Sequence, residues 1–300
     1  MDHLAEPVGA SRAAIQHHYD VDNDFYALWL DETRTYSCAM YEGEGDSLER
    51  AQARKLDYIA RAAGARGARR VLDIGCGWGG LLTYLAREDD DSELVGLTLS
   101  REQRDYVEAV SRGRLDVRLE AWEAHQPSEP YDAIVSVGAF EHFARPDAAE
   151  QARVAGYRAF FTRCRQWLRP GGRMYLQTIC YDRAERSQFP EFFRESVFPE
   201  SDLPRPHEVL AAADRRFHLV ELRNDAADYA RTLLDWRTRL WARRREAAAL
   251  VGEDVVRHFL KYLALSQVSF HTRTTGLLRL TLARADELLV APPRGAEEAS

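Results

Sequence analysis

Three glycines, Gly75, Gly77 and Gly80, follow a short apolar segment at the spacing G-x-G-x-x-G. Such a loop lets backbone N–H groups approach a ligand closely at the start of a helix, as in dinucleotide-binding turns. The carboxylate of Asp73, just before the loop, would repel a pyrophosphate but attract a cationic nucleoside. The next apolar segment also ends without the acid that a nicotinamide cofactor needs for its ribose. The loop therefore predicts a site for S-adenosylmethionine, with Asp73 as one of its ligands.

Glu141 is a second candidate for chemistry, because it follows the fourth apolar segment of the chain. Open α/β sheets bind ligands at the carboxyl edge of their strands, and Glu141 is predicted to lie there. Methyl transfer requires little acid or base chemistry, since the carbon only has to be held in line with an electron-rich atom in a dry pocket. If that atom is an alkene carbon, a carbocation forms, and its fate depends on anionic groups nearby.

Seven apolar segments alternate with helical ones and must position these residues. The predicted strands cover residues 71–74, 93–99, 117–120, 131–137, 174–179, 217–222 and 276–283. The predicted helices cover 47–63, 81–87, 101–111, 147–168, 206–215, 228–251 and 253–270, with two short helices between residues 13 and 30. Ser100 and Gln103 have the form of a capping box. This alternation predicts an α/β fold with a mostly parallel, doubly wound sheet.

The chain is expected to form one continuous domain, because its 300 residues contain no repeat and no long linker. Within it we expect a helical lid at residues 1–64, a cofactor-binding core at 65–180, substrate-covering additions at 181–275, the last strand and its end at 276–291, and a tail at 292–300.

Composition excludes several classes of protein. With 48 acidic and 41 basic residues the net charge is −7, the wrong sign for a surface that grips nucleic acid. No apolar run approaches the roughly 18–20 residues of a spanning helix, and the polar start does not resemble a signal peptide. The four cysteines are dispersed, with no spacing typical of a metal site. We therefore expect a cytoplasmic protein without a metal.

Six short segments resemble the cyclopropane fatty acid synthases, and especially the compact mycolic acid cyclopropane synthases, which are S-adenosylmethionine-dependent methyltransferases. The segments are HYDVDNDFY at 18–26, TYSC at 35–38, LDIGCGWG at 72–79, GLTLSREQ at 96–103, VGAFEHF at 137–143 and DYARTL at 228–233. The resemblance runs from about residue 15 to residue 270 and implies a Rossmann-like class I methyltransferase fold with seven strands.

The resemblance also implies a cofactor site. Residues that contact the methionine part of the cofactor in the family are matched by Tyr36, Ser37, Gly75 and Gly77. The pair that takes the ribose region is matched by Thr98 and Gln103, and the pair that meets adenine by Trp122 and Glu123. A threonine and a glutamine at the ribose agree with the missing acid at the end of the second strand.

At the reacting end, the family's glutamate, cysteine and tyrosine that hold a bicarbonate ion as base are matched by Glu141, Cys38 and Tyr229. The family's fifth strand usually ends in a His-Thr pair whose histidine also holds the bicarbonate. Here the pair is Gln177-Thr178. Glutamine can donate a hydrogen bond to an anion but cannot carry positive charge or take up a proton. Gln177 therefore leaves open whether bicarbonate binds.

The resemblance implies transfer of a methyl or methylene carbon to an unsaturated carbon of a lipid, acyl or polyketide-like acceptor. A C- or N-methyltransferase of a smaller metabolite is the first alternative, because N-methylation needs no base for a carbocation. An NAD-binding oxidoreductase is the second, and Asp73 argues against it. Arginines crowd residues 153–169 and 231–245, which indicates solvated faces or a contact with an acidic acyl carrier protein or a lipid headgroup. The oligomeric state is left open.

Overall fold

The computed structural model describes residues 21–89, 91–144, 148–185, 188 and 202–286. Several predictions lie outside these residues. They are the first of the two short N-terminal helices, the segment 18–20 of the first resembling stretch, part of the additions at 181–275, and the tail at 292–300.

Seven strands in the described residues form one sheet. They are β1 (Arg70–Ile74), β2 (Glu93–Thr98), β3 (Asp116–Leu119), β4 (Tyr131–Val137), β5 (Leu168–Tyr181), β6 (Phe217–Asn224) and β7 (Thr275–Arg284). Their order across the sheet is β3-β2-β1-β4-β5-β7-β6. Strands β1 to β5 are parallel, whereas β7 is antiparallel to both of its neighbours. The predicted α/β class and the mostly parallel, seven-stranded sheet are confirmed.

The described helices are α1 (Asn23–Ala27), α2 (Leu48–Ala62), α3 (Gly80–Glu88), α4 (Arg101–Ser111), α5 (Glu150–Trp167), α6 (Pro206–Ala213), α7 (Ala226–Ala242), α8 (Arg244–Val251) and α9 (Glu253–His271). Short polar side chains begin several of them, because they satisfy N–H groups that lack a partner in the first turn. Asp22 Oδ1 accepts from the N–H of Asp24 at the start of α1, and Ser47 Oγ accepts from the N–H of Arg50 in α2.

The structure corrects three details of the predicted elements. The last strand lies between β5 and β6, so β6 forms the edge of the sheet. The fifth strand, predicted at 174–179, is longer (Leu168–Tyr181) and contains residues 170–172 as a bulge, where the pairing with β4 shifts register. The single helix expected at 228–251 is two helices that meet at Arg243. This bend directs α8 towards α1, where Ala247 is buried in the same cluster as Phe25.

The two faces of the sheet carry different layers, because side chains alternate along a strand. On one face Leu278 and Leu280 of β7 pack with residues of α5 and α6. On the other face Leu277 belongs to a cluster with Cys38 and with residues of α7 and α9. The N-terminal segment and the C-terminal helices therefore share one layer. No helix in the described residues combines the length and apolarity needed to cross a bilayer.

Candidate cofactor and acceptor site

A cavity of about 750 Å³ opens at the carboxyl ends of β1, β2 and β4. This volume is typical of small-molecule sites, and the position is where open α/β sheets bind ligands. The residues predicted to bind the cofactor all line it: Tyr36, Ser37, Asp73, Gly75, Gly77, Thr98, Gln103, Trp122 and Glu123. The fold thus brings into one cavity residues that are widely separated along the chain, although their binding roles stay a prediction.

The glycine loop is shaped by backbone conformations that favour glycine. Gly75 has φ +82°, and a Cβ there would lie 2.6 Å from the Cβ of Ala139. Gly77 has φ +56°, but a Cβ at this position would meet no heavy atom within 4 Å. Because Gly77 lines the cavity, a side chain there would project into space that a ligand could fill. The lack of a side chain at Gly75 therefore permits close packing against Ala139, and the lack of one at Gly77 leaves cavity space open.

Thr98 and Gln103 form a hydrogen-bonded pair at the end of β2. Ser100 Oγ accepts from the N–H of Gln103, which is the predicted N-cap bond of α4. In a complete capping box the Gln103 side chain would accept from the Ser100 N–H. Here that N–H donates to Thr98 Oγ1 instead. The Thr98 hydroxyl in turn donates to Gln103 Oε1 over 2.8 Å. The carboxamide oxygen of Gln103 is thereby occupied, and its NH₂ group is the side that can donate to a ligand.

Trp122 provides an aromatic wall next to the end of β3. It begins a 3₁₀ turn at Trp122–Ala124, and its ring lies 5.5 Å from that of Phe143 and 5.3 Å from that of Phe160. These ring contacts hold the indole in place, and Trp122 also lines the cavity. A fixed, flat ring of this kind can pack against a planar base.

Residues 31–39 are here called the strap, and part of this segment lines the cavity. Asp31 accepts a hydrogen bond from the N–H of Thr35 at 3.0 Å, which closes a turn within the strap. Gln52 of α2 donates to the carbonyl of Thr35 at 3.2 Å and to that of Ser37 at 2.9 Å. The strap backbone around Tyr36 and Ser37 is therefore positioned by α2.

Lys55, which the sequence analysis did not single out, also lines the cavity. Its ammonium lies 2.7 Å from Ser37 Oγ, and the residue is 1% exposed. Burial lowers the pKa of Lys55 to about 7. Burial likewise raises the pKa of Asp73 to about 7, against the opposing effect of the Lys55 charge. Among the ionisable residues that line the cavity, Lys55 and Asp73 are thus one basic and one acidic group that are both removed from water.

Glu141 lies in the 3₁₀ turn Phe140–His142, directly after β4, and is buried. Its Oε1 accepts a hydrogen bond of 2.5 Å from the N–H of Ile179 in β5. Its Oε2 is buried without a hydrogen-bond partner in the described part of the chain. Burial raises the pKa of Glu141 to about 7. The residue can therefore hold or release a proton near neutral pH.

Cys38 and Gln177 are brought together by Arg279, a residue of β7 that the sequence analysis did not identify. The Arg279 guanidinium donates to Gln177 Oε1 at 2.7 Å and to the carbonyl of Ala39 at 3.0 Å, and Nη2 lies 3.4 Å from Cys38 Sγ. An ion pair of 2.8 Å with Asp225 balances its charge. Burial raises the pKa of Cys38 to about 12, so this residue is a thiol at neutral pH.

Tyr229 lies near the start of α7, with its ring 4.4 Å from that of Phe270 and 6.1 Å from that of Trp236. Its helix also holds the strap, because Thr232 Oγ1 accepts from the N–H of Ala39 at 3.1 Å. Tyr229 and Cys38 therefore belong to one buried cluster. Glu141 is linked to this cluster through Ile179 of β5. The Ile179 N–H donates to the Glu141 carboxylate, and the Ile179 side chain packs against the cluster.

One of the two missed residues carried a readable signal. Lys55 interrupts the apolar stripe of α2 formed by Leu48, Ala51 and Ile59, and a charge on a buried helix face requires a partner. Arg279 follows the ordinary alternation of its strand and gives no such indication. A grouping of at least three His, Cys, Asp or Glu side chains suited to a metal ion is absent from the described residues.

Comparison with known proteins places this site in context. The model of the family described as mycolic acid cyclopropane synthetase matches residues 9–280. Cyclopropane mycolic acid synthase 2 of Mycobacterium leprae is 35% identical over 292 residues, which cover 90% of this chain and 93% of that protein. The solved structure of the cyclopropane synthase MmaA2 from Mycobacterium tuberculosis superposes with a TM-score of 0.81 at 33% identity, covering 92% of this chain and 99% of the other. The mycolic acid cyclopropane synthase CmaA1 complexed with SAH and CTAB gives a TM-score of 0.81 at 31% identity, with the same coverage.

Proposed function

Because the chain belongs to the mycolic acid cyclopropane synthetase family of S-adenosylmethionine-dependent methyltransferases, we propose that it transfers a methyl or methylene carbon to a carbon–carbon double bond of a lipid or acyl chain. The observation that carries this proposal is the Glu141 carboxylate, which is buried at the carboxyl edge of the sheet with one oxygen unpaired among the described residues. A buried carboxyl oxygen without a protein partner can accept from, or interact with, a bound ligand.

The cavity fits the cofactor on its own features. The space next to Gly77, which a side chain would fill, is open. Asp73 lines the same cavity, and its carboxylate would attract a cationic ligand. In this proposal Trp122 and Glu123 hold adenine, while Thr98 and Gln103 hold the ribose. Tyr36, Ser37, Gly75 and Asp73 hold the methionine end. S-adenosylmethionine, when bound, supplies an activated methyl group.

The reacting end must manage a cation on the acceptor. Attack of the double bond on the activated methyl carbon would form one new carbon–carbon bond while the carbon–sulfur bond breaks and S-adenosylhomocysteine leaves, and the neighbouring acceptor carbon would become positive. Loss of a proton from the new methyl group then closes the ring. Glu141 stabilises this positive charge, because its carboxylate is held in a medium that screens charges poorly. Buried aromatic rings of the cluster around Tyr229 exclude the water that would trap the cation.

Bicarbonate as the base is a further part of the proposal. Gln177 offers an anion an N–H donor, because its oxygen is occupied by Arg279. The Arg279 charge beside Gln177 supplies positive potential that a glutamine lacks. Turnover in carbonate-depleted buffer, restored by added bicarbonate, is the expected behaviour. Turnover that does not respond to bicarbonate would assign the proton to a protein group.

Methylation of a smaller metabolite at carbon or nitrogen is the second candidate. The hydrogen bond between Arg279 and Gln177 favours it, because the Gln177 oxygen already accepts from Arg279 and the side chain has no group that takes up a proton. An amine acceptor releases its proton to solvent or to Glu141 and forms no carbocation. The acceptor is therefore the point that experiment must decide.

Mass spectrometry of the product formed from trideuteromethyl S-adenosylmethionine separates these outcomes. Purified enzyme would be incubated with vesicles or acyl thioesters that contain a cis double bond. A cyclopropane retains two deuterium atoms, because ring closure removes one. A methyl branch or a methylated amine retains three. The proposal fails if unsaturated chains are left unchanged while a small metabolite gains the intact methyl group.

The arginine-rich part of α7 and α8 is our candidate for docking of whatever presents the acyl acceptor, such as an acidic acyl carrier protein or a membrane surface. Arg237, Arg244 and Arg245 have no carboxylate partner among the described residues, and Trp241 beside them is 58% exposed. In α5, by contrast, Arg153 pairs with Glu208. Turnover on acyl substrates should fall as salt rises if this surface docks a charged partner. Cytoplasmic location stays a prediction for cell fractionation.

A further inference from the structure

Lys55 is an unusual member of the cavity wall. Lysine is almost never fully buried unless it is paired, yet Lys55 is 1% exposed and touches a neutral hydroxyl, Ser37 Oγ, at 2.7 Å. Its helix already fixes the strap through the two hydrogen bonds of Gln52. A charged group is therefore not needed merely to hold Ser37.

The charges around Lys55 do not form a closed pair. Asp73 interacts with Lys55 through its charge but makes no hydrogen bond in the described residues. Asp31, another acid near Lys55, is occupied by the N–H groups of Thr33 and Thr35. The Arg279 charge repels the ammonium. An ammonium has three donors, and one of them is used on Ser37, so Lys55 retains donors on the side of the cavity.

A ligand with separate positive and negative groups would complete this arrangement. The amino-acid end of S-adenosylmethionine carries an ammonium and a carboxylate on one carbon. Asp73 and Lys55 present the two complementary charges in the same cavity as the strap and the glycine loop. Both groups are buried, so a bound partner would interact with each of them more strongly than in water.

We propose that Lys55 binds the carboxylate of the cofactor, while Asp73 binds its ammonium, so that the pair selects for an intact amino-acid group. This inference rests on the proposed function, since it takes the cavity to be the cofactor site. It adds a residue on α2 to the ligands expected from the strap and the loop. Ser37 then orients the lysine as much as it contacts the cofactor.

The experiment compares S-adenosylmethionine with its decarboxylated form, which lacks only the carboxylate, by titration calorimetry on the purified full chain. For Lys55→Met we expect affinity for S-adenosylmethionine to fall at least tenfold, and affinity for the decarboxylated form to change less than twofold. Lys55→Arg keeps the charge and should preserve most of the difference between the two ligands. Asp73→Asn is the matched control, since it should weaken both ligands alike.

Equal losses of both ligands in Lys55→Met would overturn the inference, because Lys55 would then act only on the shape of the site. Unchanged affinity for S-adenosylmethionine would overturn it as well. Thermal unfolding of the ligand-free variants verifies the fold, and Lys55→Gln gives the same comparison if methionine prevents folding. Failure of the unaltered protein to bind either ligand would instead contradict the proposed function.

Discussion

Arg279 and Gln177 lie directly opposite each other in the antiparallel pairing of β7 with β5, and the guanidinium donates to the glutamine Oε1 over 2.7 Å. This contact orients the carboxamide, because the guanidinium has donors only. It also places a permanent positive charge next to a position where the family resemblance leads one to expect a histidine. The charge that Gln177 lacks is therefore present on the neighbouring strand.

Replacement of Arg279 by glutamine should destabilise the protein by about 3 kcal/mol, because a buried ion pair loses one partner. Its bonds to the carbonyls of Cys38 and Ala39 are lost too. Turnover should therefore fall at least tenfold even well below the melting temperature. Urea unfolding and steady-state kinetics measure the two effects.

Arg223→Gln is the matched control for Arg279→Gln, because Arg223 pairs with the same Asp225 but is 39% exposed. Its cost should stay below about 1 kcal/mol, with turnover unaffected. A variant at Arg279 that unfolds more easily yet turns over normally would show that the residue only supports the fold.

Glu141→Gln should leave the affinity for S-adenosylhomocysteine within twofold of the original and lower turnover at least tenfold. The side chain keeps its size, but the negative charge that stabilises a cationic acceptor is removed. Calorimetry and kinetics are the measurements. Glu208→Gln is the control, since Glu208 is also fully buried but pairs with Arg153. Comparable loss of turnover in both variants would remove Glu141 from the chemistry.

The pH dependence of turnover at saturating cofactor should follow Glu141. Burial raises its pKa to about 7, so turnover should rise with pH and level off above about pH 7 if the carboxylate is the active form. Stability changes in the opposite direction. A folded-state pKa of about 7, above the ordinary value of 4.5, favours folding at low pH, and this contribution is complete below about pH 4.5 and is lost progressively as pH rises to about 7.

A pKa shift of this size corresponds to a decrease in the free energy of unfolding on the order of 3 kcal/mol between low pH and pH values above the folded-state pKa. Urea unfolding of the unaltered protein and of Glu141→Gln across the range from about pH 5 to 8 isolates it, because other groups cancel in the difference. A turnover profile that keeps the same limb in Glu141→Gln would assign the titration to another residue.

Gly77→Val should abolish binding of S-adenosylmethionine, because the new side chain would occupy the cavity where the glycine leaves room. The backbone at φ +56° also disfavours valine. Gly113→Val carries comparable backbone strain at φ +81° in a turn after α4 that does not line the cavity. Thermal shift with added S-adenosylhomocysteine should vanish in the first variant and persist in the second. Persistence in both would contradict the assignment of the loop.

Local patterns predict most of the fold and the glycine loop with Asp73, while the family resemblance supplied Tyr36, Ser37, Thr98, Gln103, Trp122 and Glu123, which line the same cavity. The glycine loop, the caps at Ser47 and Ser100 and the seven strands all depend on residues close in sequence. The contacts of Arg279 with Cys38 and Gln177 join residues far apart in the chain, and no local pattern encodes them. Lys55 lies between these cases, because its helix position was readable but its partners were not.

The position of β7 has a consequence for biosynthesis. The glycine loop and the parallel strands β1 to β5 precede β7 in the chain and are therefore made before it. The strap, although made earlier still, obtains its guanidinium clamp from Arg279 near the close of the sheet. A nascent polypeptide halted before β7 would contain the glycine loop but would lack the guanidinium that bonds to the carbonyls of Cys38 and Ala39, so this end of the strap is fixed last.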